Sequence, residues 1–295
     1  MKKCIIILLI YLSCNVSAQE LFVSSEPASN MPAGSISMRV NSELSKMKHD
    51  GKWNSYRVDP EVMVGLSKKL MVHATMYGSN MFQSNYRVEG GSIYGKYRLF
   101  SSDDIHKHFR LAAFGKLSMI DNPVVLTKTK AHEIPDGTGG IIYHDIPSYH
   151  RSYVIDPEGM NSAVGGGLIA TKLQNRLAIS ATAGYLYRLD NINEKKELFQ
   201  PWHAINWSLS TGYLLLPKEY ISYDQTNMNL YMEFLGQNSI DGKGYYVDVA
   251  PAMQFIFKSI ARLDLGYQSQ LTGKGERFHN SSFLVRVEYN FLNAF

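Results

Sequence analysis

The sequence predicts an all-β protein, a transmembrane antiparallel up-and-down β-barrel of about twelve strands. Three observations lead to this prediction. The chain begins with a segment typical of exported proteins, and both of its cysteines fall inside that segment. Apolar and polar residues then alternate in segments of about ten residues, which is the length of a transmembrane β-strand.

The N-terminal segment has the three parts of a secretory signal peptide. Lys2 and Lys3 precede the apolar run 5–12, and a small-x-small cleavage site ends at Ala18. The apolar run is shorter than the roughly 18 residues that a membrane-spanning helix needs. We therefore expect residues 1–18 to be removed.

The remaining chain divides into two expected parts. Residues 19–33 are expected to form a periplasmic N-terminal segment, which either stays in the periplasm or plugs the lower mouth of the barrel. Residues 34–295 are expected to form the barrel itself.

Cysteine usage limits the chemistry of the mature chain. Cleavage after Ala18 removes both Cys4 and Cys14, which excludes disulfides, thiol catalysis and thiolate metal sites together. The stretch Tyr11-Leu-Ser-Cys14 loosely resembles a lipoprotein cleavage site, although tyrosine is a poor first residue for that motif. The formal net charge is +4, and no basic run occurs, so we expect no nucleic-acid partner.

Alternation with period two assigns the strand faces. In the last strand, Phe283, Val285 and Val287 share one face while Arg286 and Glu288 share the other. Twelve segments behave in this way, although the faces of 161–173 are left unassigned because the segment is rich in glycine.

The connections between these segments mostly alternate in length, although those at 217–225 and 236–243 are of similar length. Long loops are predicted at 42–60, 80–87, 121–160, 189–201 and 268–280. Short turns are predicted near 68–69, 101–108, 174–175 and 258–259. Short turns on one rim and long loops on the other are typical of outer-membrane barrels, where the short turns are periplasmic.

Aromatic residues distinguish a membrane barrel from a soluble sandwich, whose strands alternate in the same way. They fall at both ends of the predicted outer face, flanking an aliphatic band, as two membrane interfaces select. The loop-end set is Tyr185, Tyr187, Tyr245 and Tyr267, and the turn-end set is Tyr97, Tyr213, Phe255, Phe257, Tyr289 and Phe291. The apolar face is therefore expected to meet outer-membrane lipid.

Several stretches resemble a group of Bacteroidetes outer-membrane barrels, labelled transporters or phenol-degradation meta-pathway proteins. These stretches are 26–33, 90–100, 169–173 and 216–220. The terminal Phe295, with Phe291 and Tyr289, resembles the C-terminal insertion signal of outer-membrane barrels. This resemblance implies the barrel-assembly machinery as a partner.

The lumen is predicted to hold the charged side chains. Inward-facing positions carry both signs, and they either pair to plug a narrow barrel or line a polar passage. The predicted set is Arg39, Glu61, Lys96, Arg98, Arg110, Lys116, Glu233, Asp248, Arg262, Asp264, Arg286 and Glu288.

Other chemistry has weaker support. His132, His144 and His150 share the longest predicted loop and are weak candidates for a metal site of copper-like type, because their spacing matches no compact ligand motif. No Gly-x-Ser-x-Gly motif occurs, and we expect neither catalysis nor a cofactor. The leading expectation is passage of a small solute, and the alternative is a closed structural barrel whose external loops bind a partner.

Overall fold

The computed structural model describes residues 22–47, 53–82, 85–104, 107–123, 125–135, 141–195, 198–219, 222 and 224–295. The side chains of 125–151 and of residues 47, 53 and 54 lie outside this description. The strands are β1 Ile36–Met47, β2 Trp53–Gly65, β3 Leu70–Ser79, β4 Arg87–Asp104, β5 Lys107–Ile120, β6 Val125–Pro135, β7 Ile141–Arg151, β8 Ala163–Gln174, β9 Leu177–Arg188, β10 His203–Leu216, β11 Asn227–Ser239, β12 Tyr245–Phe257, β13 Ala261–Lys274 and β14 His279–Phe291.

Twelve of these strands form a closed antiparallel barrel, which confirms the predicted fold class. Sequential strands are neighbours, except that β5 pairs with β8 and the remaining two strands form a separate hairpin. The ring closes between β1 and β14, where Arg39 lies opposite Glu288. No helix among the described residues is long and apolar enough to cross a membrane.

The two faces of each strand follow the alternation of the sequence. On β12, for example, Asp248 and Gln254 are buried while Pro251 and Phe257 are exposed. Apolar side chains on the outer face are unusually exposed, and Leu209 and Val287 have relative exposures of 44% and 55%. A continuous exposed apolar surface of this kind is a contact surface for lipid or protein.

The structure defines the two faces of β8, which the sequence left unassigned. On β8, Ala163, Ile169 and Thr171 are buried inside the barrel, while Val164 and Leu168 are exposed outside it. The glycines of this strand pack closely against both neighbours. A Cβ atom at Gly167 would lie 2.2 Å from the Ala183 carbonyl oxygen, which leaves no room for a side chain.

Several predicted connections were wrong in extent, because strands continue past the membrane-length segment with polar residues on both faces. The predicted loop 42–60 lies largely within β1 and β2, and the predicted loop 268–280 lies largely within β13 and β14. The predicted turn 101–108 is shortened by a long β4–β5 hairpin. The predicted loop 121–160 contains the β6–β7 hairpin.

Candidate functional site

The inside of the barrel is the candidate site, and all twelve predicted lumen residues lie on inward-facing strand positions. Eight of them are buried, namely Arg39, Glu61, Lys96, Glu233, Asp248, Arg262, Asp264 and Glu288. The other four, Arg98, Arg110, Lys116 and Arg286, are half-buried. The alternation places these side chains together, because successive residues of a strand point to opposite faces.

Residues 22–33, called here the N-terminal plug, lie inside the barrel rather than beyond its rim. Phe22 and Val23 are buried against Leu173, Ala178 and Tyr231. The rings of Phe22 and Tyr231 meet edge to face, with centroids 5.5 Å apart. The plug therefore has an apolar tip that packs on the inner wall.

Glu233 of β11 binds the plug through three successive backbone N–H groups. The Val23 and Ser24 amides donate to its Oε1 at 2.9 and 2.7 Å, and the Ser25 amide donates to Oε2 at 2.9 Å. Ser210 also donates to this carboxylate. A buried carboxylate with several N–H donors is well satisfied, so Glu233 is the main polar anchor of the plug.

Arg39 of β1 is the centre of an ion-pair network that joins the plug to the wall. Its guanidinium contacts Glu61 of β2, Glu26 of the plug at 3.2 Å and Glu288 of β14 at 3.9 Å. Lys96 donates to the Pro27 carbonyl at 2.6 Å and lies 3.4 Å from Glu26.

Burial would raise the pKa of Glu26, but Lys96 and Arg39 outweigh this effect and hold it well below its usual range. The ionised Glu26 therefore stabilises the plug above its ordinary pKa of 4.5, and this contribution is lost as the pH falls through the lowered value.

A second segment of the chain enters the barrel from the rim opposite the plug. Residues 152–160, called here the loop-side cap, contact the inner wall through paired hydrogen bonds. Gln237 accepts from the Ile155 N–H at 2.8 Å and donates to the Ile155 carbonyl at 2.7 Å. Lys116 donates to Glu158 at 2.9 Å, and Ser118 donates to the Pro157 carbonyl at 2.7 Å.

Between the plug and the cap lies a cavity of about 390 Å³, called here the chamber. Its lining includes Ser24 and Glu26 from the plug and Asp156 and Glu158 from the cap. The chamber is therefore a space inside the barrel with both charged and apolar lining residues, bounded at each end by a segment that contacts the wall through non-covalent interactions.

The wall of the chamber differs on its two sides. Strands β1–β5 and β13–β14 supply nearly all of its charges. Strands β8–β10 supply small or neutral side chains, including Gly165, Ile169, Thr182, Leu186 and Ser208. The sequence did not predict this asymmetry, although the low charge of residues 163–216 was a readable signal.

The candidate histidines lie on the two strands of the β6–β7 hairpin. The β6–β7 register aligns His132 with His144, and their side chains and that of His150 lie outside the described part of the chain. Among the described residues, no group of three His, Cys, Asp or Glu side chains is placed to hold a metal ion.

Replacing Arg39 by Met is expected to lower the free energy of unfolding by about 3–5 kcal/mol, because it leaves buried carboxylates without their common cation. Equilibrium unfolding in urea would measure this loss. The control is Asp103→Asn at the turn rim, which breaks the ion pair of the 47% exposed Asp103 with Arg110 and leaves the hydrogen bond from Arg110 to Ser29 of the plug in place. That exposed pair is expected to contribute less than about 1 kcal/mol. Equal losses in the two variants would contradict a special role for the Arg39 network.

Comparison with solved structures supports the fold. An outer membrane channel from Pseudomonas putida F1 aligns with a TM-score of 0.51 and 10% identity, covering 92% of this chain and all of that one. The fold is that of an outer-membrane channel barrel. The KdgM porin aligns with a TM-score of 0.46 and 8% identity, covering 86% of this chain and 99% of that chain. No family model and no curated protein match the sequence.

Proposed function

We propose that this protein is an outer-membrane barrel that passes a small solute, without catalysis. The observation that carries the proposal is the chamber inside a closed barrel, lined in part by charged residues and bounded by two segments that contact the wall non-covalently. Barrels of about eight strands are filled by side chains and those of about sixteen leave a water channel, so twelve strands give an intermediate lumen. The charged residues of the lumen would set the selectivity of passage.

The proposed orientation follows from the lengths of the connections. The rim that carries the β2–β3, β8–β9 and β12–β13 turns faces the periplasm, and the rim that carries the cap and the β6–β7 hairpin faces outward. The signal peptide of residues 1–18 directs export, and the apolar outer face meets outer-membrane lipid.

The sequence resemblance to Bacteroidetes barrels is kept as part of this proposal. It agrees with a channel, and it adds no solute or reaction. We therefore infer no solute from the family label that mentions phenol degradation.

A closed structural barrel is the second candidate, and one observation favours it. The plug contacts the wall on many sides, since Glu233, Thr171, Lys96 and Arg110 all bond to it. A barrel that stays plugged would leave the external loops as the functional surface, where they would bind a partner.

Conductance of the refolded mature protein in a planar bilayer separates the two candidates. We expect single-channel steps with an ion preference. A barrel that inserts, as shown by heat-modifiable gel mobility, but remains silent under applied voltage would favour the structural candidate.

Replacing Phe295 by Ala is expected to lower the amount of inserted barrel in cells. The backbone N–H groups of Ala294 and Phe295 donate to the Gly34 carbonyl and are unaffected by this change, so the test isolates the aromatic ring. Heat-modifiable barrel in membrane extracts is the measurement. Leu292→Ala is the control, because Leu292 is also exposed near the terminus. Equal insertion of both variants would count against the insertion signal formed with Phe291 and Tyr289.

A further inference from the structure

We infer that the chamber binds a small organic cation, an ammonium group on an uncharged body, through Glu43, Asp59 and Asp156. This inference rests on the proposed passage function and names the class of solute. The evidence for it is the balance between cationic and carboxylate side chains around the loop-side half of the chamber.

The cations of this half already have anionic partners. Arg57 contacts Glu89 at 3.3 Å, and Lys116 contacts Glu158 at 2.9 Å. Arg277 forms two hydrogen bonds to Asp248, at 2.8 and 3.0 Å. Each of these three cations has a carboxylate partner at ion-pair distance, and Arg286, which also lines the chamber, lies 3.7 Å from Asp264.

Three carboxylates of the chamber lining remain without an ion pair to any described residue. Glu43 accepts a hydrogen bond from the Ser45 hydroxyl, and Asp156 accepts one from the Glu158 N–H. Both contacts are with neutral donors. Asp59 is the third member of this set.

Asp59 provides a second and separate observation. It is only 8% exposed, and its Oδ1 atom has no hydrogen-bond partner among the described residues. A buried carboxylate oxygen without a partner is costly, so it indicates that a donor or cation is missing from the site.

The three carboxylates act as one group. Arg57 interacts electrostatically with Glu43, Asp59 and Asp156, which places all of them around the same guanidinium. Glu43, Asp59 and Asp156 thus add three carboxylates to a chamber whose cations already have carboxylate partners. Burial raises the pKa of Asp156 although Arg57 opposes the shift, as expected for a carboxylate that lacks a full counter-charge.

The shape of the site favours an organic cation over a metal ion. No three acidic or histidine side chains among the described residues converge as metal ligands would. The cavity of about 390 Å³ is large enough for a small organic molecule. The facing wall offers Gly165, Ile169 and Leu186, which suit an uncharged body.

Isothermal titration of the refolded mature protein in detergent micelles tests the inference. The probe is n-butylammonium, and the matched probes are n-butanol and butyrate. We expect saturable binding of n-butylammonium alone. Asp59→Asn and Asp156→Asn, which change charge with little change in shape, are each expected to weaken it by at least about tenfold.

Asp103→Asn is the control variant, because Asp103 is a carboxylate at the turn rim, outside the chamber lining, whose ion-pair partner is Arg110. It should keep the affinity of the unaltered protein. Heat-modifiable mobility verifies that each variant is folded, and the Asp156 variant carries the test if the Asp59 variant does not fold.

Three results would overturn the inference. They are absence of n-butylammonium binding, equal binding of n-butanol, and tight Ca²⁺ binding that displaces the ammonium. Conductance tests the passage function separately. A conducting barrel without ammonium binding would remove only this inference, whereas ammonium binding in a silent barrel would remove only passage.

Discussion

Replacing Glu233 by Gln is expected to release the N-terminal plug and raise conductance. The carboxylate accepts three plug N–H groups, whereas a Gln side chain has one acceptor oxygen and places its NH₂ group against remaining donors. Each buried donor left unpaired costs about 1–3 kcal/mol, so the open fraction should rise by tenfold or more. Single-channel recording should register longer and more frequent openings.

A thiol in the plug gives an independent readout of the same variant. We expect the mature chain to lack cysteine, and Ala28 is fully buried, so a thiol introduced by Ala28→Cys would be unique and shielded. Glu233→Gln should accelerate its reaction with a membrane-impermeant maleimide. Asp264→Asn is the matched control, because it alters another buried lumen carboxylate that does not contact the plug. Unchanged labelling and unchanged conductance in folded Glu233→Gln protein would show that the plug does not gate the barrel.

Replacing Leu209 by Arg is expected to destabilise the barrel by about 2–4 kcal/mol, the range for a cation at the midplane of the lipid face. Leu209 is in the middle of β10, is 44% exposed and lies between Ala181 and Phe234 on the outer face. Reversible urea unfolding of lipid-embedded protein is the measurement.

A leucine at a different depth along the same strand provides the control for this substitution. Leu216 is similarly exposed, at 45%, but ends β10 at the rim. Leu216→Arg is expected to cost about 0–1 kcal/mol, because the guanidinium there reaches the interface. Equal costs at both positions would mean that the outer face of β10 does not span lipid.

Alternation in the sequence was enough to predict the faces of every barrel strand except β8. A shift of one residue would turn every side chain of a strand to the other face. The charged Asp248 and the apolar Phe255 lie on opposite faces of β12, and together they fix which face points inward. The inward positions of Arg39, Asp264 and Glu288 follow from the same rule. The sequence could not show which of these side chains form ion pairs, beyond indicating that the partners lie on neighbouring strands.

The sequence offered a plug as one of two alternatives for residues 19–33, but the contacts of the plug and of the cap could not be predicted, because they have no local period. Glu233 reads as one more lumen charge, and its partners are backbone groups more than 200 residues away. Main-chain N–H groups carry no sequence signal. The Glu43, Asp59 and Asp156 set was missed for a related reason, since it depends on which cations are already occupied by other carboxylates.

The hairpin β6–β7 and the long β4–β5 extension were missed because their strands lack a clearly apolar face. Within β6, residues 127–130 alternate threonine and lysine, a pattern that is typical of a solvated loop. Strand propensity of threonine persists without burial, and pairing beyond the membrane does not require an apolar side.

The meeting of the chain ends has a consequence for the order of assembly. The Gly34 carbonyl, just after the plug, accepts the Ala294 N–H at 2.7 Å, and Glu26 shares Arg39 with Glu288 of the last strand. These contacts form only after the ring is complete, because they join the first and last strands. The segment that precedes the first strand therefore reaches its final place only after the last strand has paired. A newly closed barrel should pass through a stage in which residues 22–33 are still open to protease, and the rate at which that sensitivity disappears would time the final step of folding.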